Sequence, residues 1–501
     1  MSIRVEQGVS VAKSPRGSFV LAAVLVALAS GCSSSGAGLA PLSDSGGTSS
    51  SATSPVKTGA ADASRDATSH PDASTADASA DAANDGASSD VGADAGSDVD
   101  NGAPSAVFPA PHPALPTLTN QSHGPVLTSP KVYLVFYPGY PYVADLQKFA
   151  ANMTTTTYWG EVTAEYGIGP LAYGGTITLT GETPPTTISS VDIGPWVAAE
   201  LASGAFGTPD PEGIYTIFYP QSTTVTQPNP VLPSLAPVQS CVAFGGYHDN
   251  TSTPLTDGGV PTNFAYAVIP TCSTFVDDLT AVLSHEWVEA STDPLVTSSG
   301  SFTLSPGPDS AFFTVDPPHA IWALLNGGEA GDLCEPEGQS AYITPADIGY
   351  TVQRTWSNKL AVGSHDPCAP NLPGMPYFNA APVLPETITI MSELIGGTIV
   401  TDGITIPAGA SKTIEVDLFS DASTDGPFTV TAADALYTYY GSYGLPDTLA
   451  FAWDRTSGQN GEKLHLTITV TRESLFDGVH AFVLTSTSGG RQTVWPGLVI
   501  E

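Results

Sequence analysis

Residues 273–295 read STFVDDLTAVLSHEWVEASTDPL, and they decide how the chain is read. Phe275, Leu279, Val282, Leu283 and Ala290 recur at helical spacing, and Val276 and Trp287 widen the stripe. Asp277 and Asp278 stand near the start, where the helix dipole favours carboxylates. Asp293 precedes Pro294, and a residue before proline avoids the helical region. The pattern predicts a helix from Ser273 to Thr292, buried along much of its length. His285 and Glu289 are four residues apart, so they share one face and can converge on one ion. Glu286 falls beside the apolar stripe, a costly position for a carboxylate unless a cation or a donor meets it.

Working outward, strand and helix signals alternate ahead of this helix. Lys131–Tyr137 (KVYLVFY) and Gly213–Tyr219 (GIYTIFY) read as buried strands. Thr176–Thr180, Cys241–Tyr247 and Phe264–Ile269 read as further strands. Val143–Met153, Tyr158–Tyr166 and Ile193–Ala205 read as helices. From about Asn371 helical periods vanish. Short alternating runs follow at regular spacing: Glu386–Met391, Thr398–Ile406, Lys412–Leu418, Phe428–Ala433, Thr448–Trp453, Leu464–Val470 and His480–Thr485. The expected fold is therefore α/β (α+β), a zincin-like domain with a long motif-bearing helix over 107–370. An all-β sandwich of immunoglobulin-like size is expected over 371–501.

The spacing His285-Glu286-x-x-Glu289 differs by one ligand from the H-E-x-x-H helix of zincins. There two His hold zinc and the intervening Glu acts as general base. A carboxylate in place of the second His is an acceptable zinc ligand and makes the site harder and more anionic. The plainer alternative is an amphipathic helix with two solvated glutamates. A third ligand has two candidate sources. One is the Gly-rich segment Asn326–Gly338 (NGGEAGDLCEPEG), which carries Glu329 and Asp332; as a plain turn these would cap backbone amides. The other is Cys241–Asn250 (CVAFGGYHDN), with Tyr247 and His248, where an ordinary loop histidine is the alternative. The expected roles are metal binding by His285, Glu289, Asp332 and Glu329, general-base action by Glu286, and oxyanion stabilisation by Tyr247 or His248.

The segments ending Gly-Tyr-His, then YAVIPTC, SHEWVEASTDP and GGEAGDLC resemble the plant EXORDIUM (phosphate-induced protein 1) family and its secreted bacterial and fungal relatives. The resemblance spans roughly Val126–Cys368 and is strong in these motifs. It implies an extracellular, zincin-like protein and singles out His285, Glu286, Glu289, Glu329, Asp332 and Cys334, together with His248. The chain departs from the plant members at both ends.

At the N-terminus Arg4, Lys13 and Arg16 precede the apolar run Phe19–Ala29, too short for a comfortable membrane span. Ala29, Ser30 and Gly31 lead to Cys32. This resembles a lipobox, with Ala29 where Leu is usual, so residues 1–31 are expected to be a lipoprotein signal peptide and Cys32 the lipidated residue. The alternative is a signal peptide cut nearby and a free secreted protein. Ser33 after the cysteine favours an outer-membrane or cell-surface destination. Residues 32–106 are mostly Ser, Ala, Gly, Asp, Thr and Pro, with acidic residues such as Asp62, Asp77 and Asp90. A stretch this poor in large apolar side chains is expected to be a disordered tether.

The 501-residue chain carries 14 basic and 49 acidic residues, a formal charge of −35. That surface repels nucleic acid, which is excluded as a partner. With Cys32 assigned to lipid, Cys241, Cys272, Cys334 and Cys368 form an even set in an exported chain. Three pairings are open, and the neighbour pairs 241–272 and 334–368 are expected.

The expectation is a surface-anchored, metal-dependent hydrolase, a zinc metallopeptidase acting on extracellular peptide, protein or cell-wall material. The alternative is a non-catalytic adhesin or binding module with a structural metal site, for which calcium is a candidate. Glycan hydrolysis by paired carboxylates fits less well, because Glu286 and Glu289 lie close together on one helix.

Overall fold

Strong β-formers build a five-stranded sheet. Its strands in chain order are β1 (Lys131–Phe136), β2 (Ala172–Thr178), β3 (Gly213–Tyr219), β4 (Tyr247–Pro254) and β5 (Pro261–Pro270). They are arranged β2-β1-β3-β5-β4, with β4 antiparallel to β5 at one edge and the rest parallel. Strict alternation divides the side chains between two cores. Leu134, Phe136, Phe218, Ala267 and Ile269 enter one; Val135, Tyr137, Tyr215, Ile217, Tyr266 and Val268 enter the other. Helices α1 (Val143–Met153), α2 (Thr157–Thr163) and α4 (Val276–Thr292) cover the first face, and α3 (Ser190–Ser203) covers the second. Coverage on both faces explains why the strands read as near-continuous apolar runs.

This computed structural model describes residues 19–20, 101–120, 124–228, 236–255, 259–296, 313–324, 328–392, 397–435, 446–474 and 478–501. Cys32 and the tether up to residue 100 lie outside the described residues. Among the described residues no helix is long and apolar enough to cross a membrane.

The motif helix differs from its sequence reading in two respects. It begins at Val276, because the Ser273 hydroxyl accepts a hydrogen bond from the Phe275 amide at 3.0 Å and Phe275 itself stays extended. Phe275 is consequently exposed. From Leu279 to Thr292 nearly every residue of α4 is buried, the polar ones included. Ser284, Ser291 and Thr292 donate back to helix carbonyls, and Trp287 Nε1 donates to Thr216 of β3 at 2.9 Å. The stretch read as a strand over Cys241–Tyr247 is a turn that hands over to β4 at Tyr247. Cys241 takes a φ of 64° and is bonded to Cys272.

The second part is all β: β6 (Phe378–Pro382), β7 (Glu386–Ser392), β8 (Gly397–Thr405), β9 (Ser411–Ser420), β10 (Phe428–Asp434), β11 (Leu449–Trp453), β12 (Lys463–Val470), β13 (Val479–Ser488) and β14 (Arg491–Ile500). One sheet runs β6-β9-β12-β11 and the other β7-β8-β14-β13-β10, flanked by the two-residue strands Phe19–Val20 beside β7 and Ser457–Gly458 beside β10. Aromatic pairs link the two inner faces: Phe378 with Phe428 at 5.2 Å, Phe419 with Trp495 at 6.2 Å, and Phe451 with Phe482 at 6.3 Å. Sequence reading missed β6 and β14. In β14 the Pro496–Gly497 pair reads as a turn. Proline is tolerated there because β8 pairs with β14 only at 499–500, which leaves Pro496 bonded on one side.

The two parts share a core, in which Trp322 packs on both Trp356 and Trp495. The N-terminal segment is tied to the second part from Asn101 onward, ahead of the Val107 boundary. Asn460 accepts from the Ala110 amide and donates to the Val107 carbonyl, and the His112 ring stacks on Phe419. Within the first part, beside this junction, Arg354 is fully buried. Its guanidinium pairs with Glu337 at 3.0 Å and Asp366 at 2.7 Å and donates to the carbonyls of Ser340, Cys368 and Pro370. Removing one partner from such a group strands the others in a poor solvent. Arg354→Ala is expected to lower unfolding free energy by about 3–5 kcal/mol in urea titration; a loss under about 1 kcal/mol would show that water reaches Glu337 and Asp366.

Candidate metal centre

Three segments meet at the C-terminal half of α4. The helix brings His285, Glu286 and Glu289, with Asp293 at its end. Edge strand β4 brings His248, which pairs with Ala267 and therefore projects from the face that α4 covers. Tyr247, one residue earlier, projects from the opposite face. It packs there with Phe244 and is not brought to the carboxylates. The third segment is the loop 328–335, which brings Glu329 and Asp332. It is held by the Cys334–Cys368 disulfide and by hydrogen bonds from Trp356 N to the Ala330 carbonyl and from Gln353 Nε2 to the Gly331 carbonyl.

Two glycines allow the approach. A Cβ on Gly331 would lie 2.4 Å from His285 Nδ1 and 2.8 Å from Glu289 Oε1. A Cβ on Gly246 would lie 2.6 Å from Val282 and 2.8 Å from Glu286 Oε1. Neither position can carry a side chain without moving the helix or the loop. Glu289 Oε1 accepts the amides of Gly331 at 3.0 Å and Asp332 at 3.2 Å, so the loop reads the helix carboxylate directly.

Within the cluster His285 Nε2 is 2.9 Å from Glu289 Oε2 and 3.7 Å from Asp332 Oδ1. His248 reaches two ways: Nδ1 is 3.5 Å from Glu286 and 3.8 Å from Glu289, and Nε2 is 3.7 Å from Glu329. His285 and Glu286 are 0% exposed and His248 is 8% exposed. Among the described residues the ion pairs of Glu289, Glu329 and Asp332 run only to these two imidazoles, and no Lys or Arg joins them.

Titration reflects that imbalance. Burial favours a neutral imidazole, but the neighbouring carboxylates outweigh it, pushing His248 up to about 10 and His285 up to about 9. Burial pushes Asp293 up to about 7. Burial and then the charge of Glu289 hold Glu329 and Asp332 well above the usual carboxylate range. Glu289 alone of these is lowered: burial opposes its charge, but His285 outweighs that.

Three donor groupings have atoms within 4.8 Å of one another: His285, Glu289 and Asp332; His248, Glu286 and Glu289; and His248, Asp293 and Glu329. Imidazole nitrogen with carboxylate oxygen suits zinc and other divalent transition ions, and these buried groups can hold a metal. His248 Nε2 and Glu329 Oε2 are buried without a hydrogen-bond partner, as atoms reserved for an ion would be. A fourth grouping, Glu337, Asp366 and Cys368, is closed by Arg354 and a disulfide.

The expected ligands His285, Glu289 and Asp332 thus come together, and Glu329 lies beside them with His248. Asp293 was missed, because its place before Pro294 reads as a helix stop. The spacing held the signal: 285, 289 and 293 succeed one another by one helical turn. No protein-family model matches the chain, and no curated protein matches it.

The sign of the pH dependence follows from the raised groups. A carboxyl held above its unfolded value adds stability that is full below about pH 4 and is lost as pH climbs through its folded value. A raised imidazole adds stability that is full below about 6.5 and is lost towards 9–10. The melting temperature of metal-stripped protein should therefore fall from pH 5 to pH 9, and excess divalent cation should flatten the fall, since ions bind the deprotonated donors. A melting temperature that rises over this window without metal would contradict the electrostatics described.

Proposed function

We propose that the chain is an exported, zincin-like metallohydrolase that cleaves peptide bonds in extracellular protein, with zinc as its ion. The observation that carries this reading is the convergence of Glu286, Glu289, Asp293, Glu329 and Asp332 on two imidazoles in a buried site where, among the described residues, no Lys or Arg pairs with Glu289, Glu329 or Asp332. Such a set is stable in its charged form only around a cation. The two disulfides agree with an oxidising, extracellular setting.

In this reading His285, Glu289 and Asp332 hold the ion. A bound divalent ion supplies Lewis-acid polarisation of the scissile carbonyl and makes the attacking water more acidic. Glu286, fully buried one residue after His285, takes the water proton and delivers it to the leaving nitrogen. His248 Nδ1, facing Glu286, orients that carboxylate. The segments that carry the EXORDIUM resemblance are the ones supplying these residues, and on that resemblance alone we place the chain beside that family. The β part serves as an immunoglobulin-like sandwich for docking substrate or cell wall. Cys32 carries the lipid that holds the protein at a membrane surface.

A second reading draws on the depth of burial. A closed shell around the ion would make it structural within a binding module.

The test is zinc content by mass spectrometry on the full chain, paired with hydrolysis of a protein substrate. Glu286→Gln should keep zinc yet lose at least about 10²-fold in rate, and His285→Ala should lose both zinc and activity. Zinc retained without any hydrolysis by the natural chain would favour the structural reading. Absence of any bound divalent ion would overturn both.

A further inference from the structure

The donor groupings at the α4 terminus form one cluster, in which His248, Glu286 and Glu289 connect two further sets. His285, Glu289 and Asp332 form one set, and His248, Asp293 and Glu329 form another, with no residue in common. Each set offers one imidazole and two carboxylates. An ion among the first three leaves the second set buried and unanswered. His248 Nε2 and Glu329 Oε2 lie 3.7 Å apart, each without a hydrogen-bond partner, and His248, Glu329 and Asp293 are all more than nine-tenths buried. His248 has the geometry of a ligand fixed from behind: Nε2 faces Glu329 while Nδ1 faces the carboxylates of Glu286 and Glu289. Ligating histidines are commonly oriented in this manner by a carboxylate on the other ring nitrogen.

Charge points the same way. Metal binding displaces the protons these donors otherwise hold; with both rings then neutral, the carboxylates of Glu286, Glu289, Asp293, Glu329 and Asp332 leave three negative charges around one divalent ion and a single one around two. A buried site tolerates the smaller imbalance far better.

We propose that the cluster is a two-cation centre, in which His248, Asp293 and Glu329 hold a second divalent transition ion beside the one at His285, Glu289 and Asp332. Glu289 serves the first position and backs the second, with its Oε2 2.9 Å from His285 Nε2 and 3.8 Å from His248 Nδ1. The nitrogen and oxygen donors select zinc, manganese or cobalt over calcium, which prefers an all-oxygen shell. This inference rests on reading the cluster as a metal centre, and its test separates the two.

The experiment uses the full chain, stripped with a chelator and titrated with Mn(II). Bound metal is counted by mass spectrometry after desalting, and the manganese signal is recorded by electron paramagnetic resonance. The natural chain should take up two equivalents and give a manganese signal broadened by the neighbouring ion. Asp293→Asn and Glu329→Gln, confirmed as folded by circular dichroism, should each retain one equivalent with an uncoupled six-line signal. Saturation of the natural chain at one equivalent, uncoupled, overturns the second site and leaves the single-ion hydrolase standing; this result needs no variant. Two equivalents that survive both substitutions also overturn it, by placing the second ion elsewhere. No uptake at all overturns this inference and the metal-centre reading together.

Discussion

The structure depends on burying negative charge against one helix. Helix α4 is surrounded by sheet, loop and neighbouring helices, yet its C-terminal half carries His285, Glu286, Glu289 and Asp293 inward. A carboxylate in such surroundings must be neutralised, paired or liganded. The surrounding elements serve that requirement. The Cys241–Cys272 bridge braces the turn that leads into His248, and the Cys334–Cys368 bridge braces the loop that carries Glu329 and Asp332. Each closes a loop of about 30 residues, a constraint worth roughly 3–4 kcal/mol. Gly246 and Gly331 let backbone come within reach of the helix carboxylates where any side chain would intrude.

The same chain handles buried acid in two ways. Around Arg354 the answer is internal: a guanidinium, whose planar fork suits carboxylates and carbonyls, pairs with Glu337 and Asp366 and ties together the segments 337–340 and 366–370 of the α/β part. Around His285, among the described residues, Glu289, Glu329 and Asp332 pair with no guanidinium or ammonium, only with two imidazoles that can be neutral. The contrast is informative because the folding problem is alike in both places. A protein that needed only stability at α4 had the Arg354 solution available. Keeping weakly basic donors among strong acceptors is what a site for an external cation requires.

Much of the architecture was legible in the sequence because both faces of the main sheet are covered. Runs such as GIYTIFY at 213–219 leave little choice but a central strand, and all seven of its residues are buried. The seven alternating runs after Asn371 likewise correspond to strands. The misses share a cause: local signals gave way to long-range pairing. Pro496–Gly497 reads as a turn but sits in β14, and Phe378–Pro382 is too short to alternate visibly. At the site, helical spacing disclosed His285 and Glu289, and a Gly-rich acidic segment disclosed Glu329 and Asp332. Tyr247 and His248 could not be separated until the strand's pleat put them on opposite faces. Asp293 was hidden by its proline neighbour.

The central claim, that the α4 terminus is a metal centre, is tested most directly by X-ray diffraction from the full chain crystallised with zinc, with data above and below the zinc absorption edge. The account predicts an edge-dependent anomalous peak within bonding distance of His285 Nε2, Glu289 and Asp332, about 2.0–2.2 Å from each. Ordered water there with no anomalous signal, and carboxyl groups hydrogen-bonded to one another as neutral acids, would contradict it.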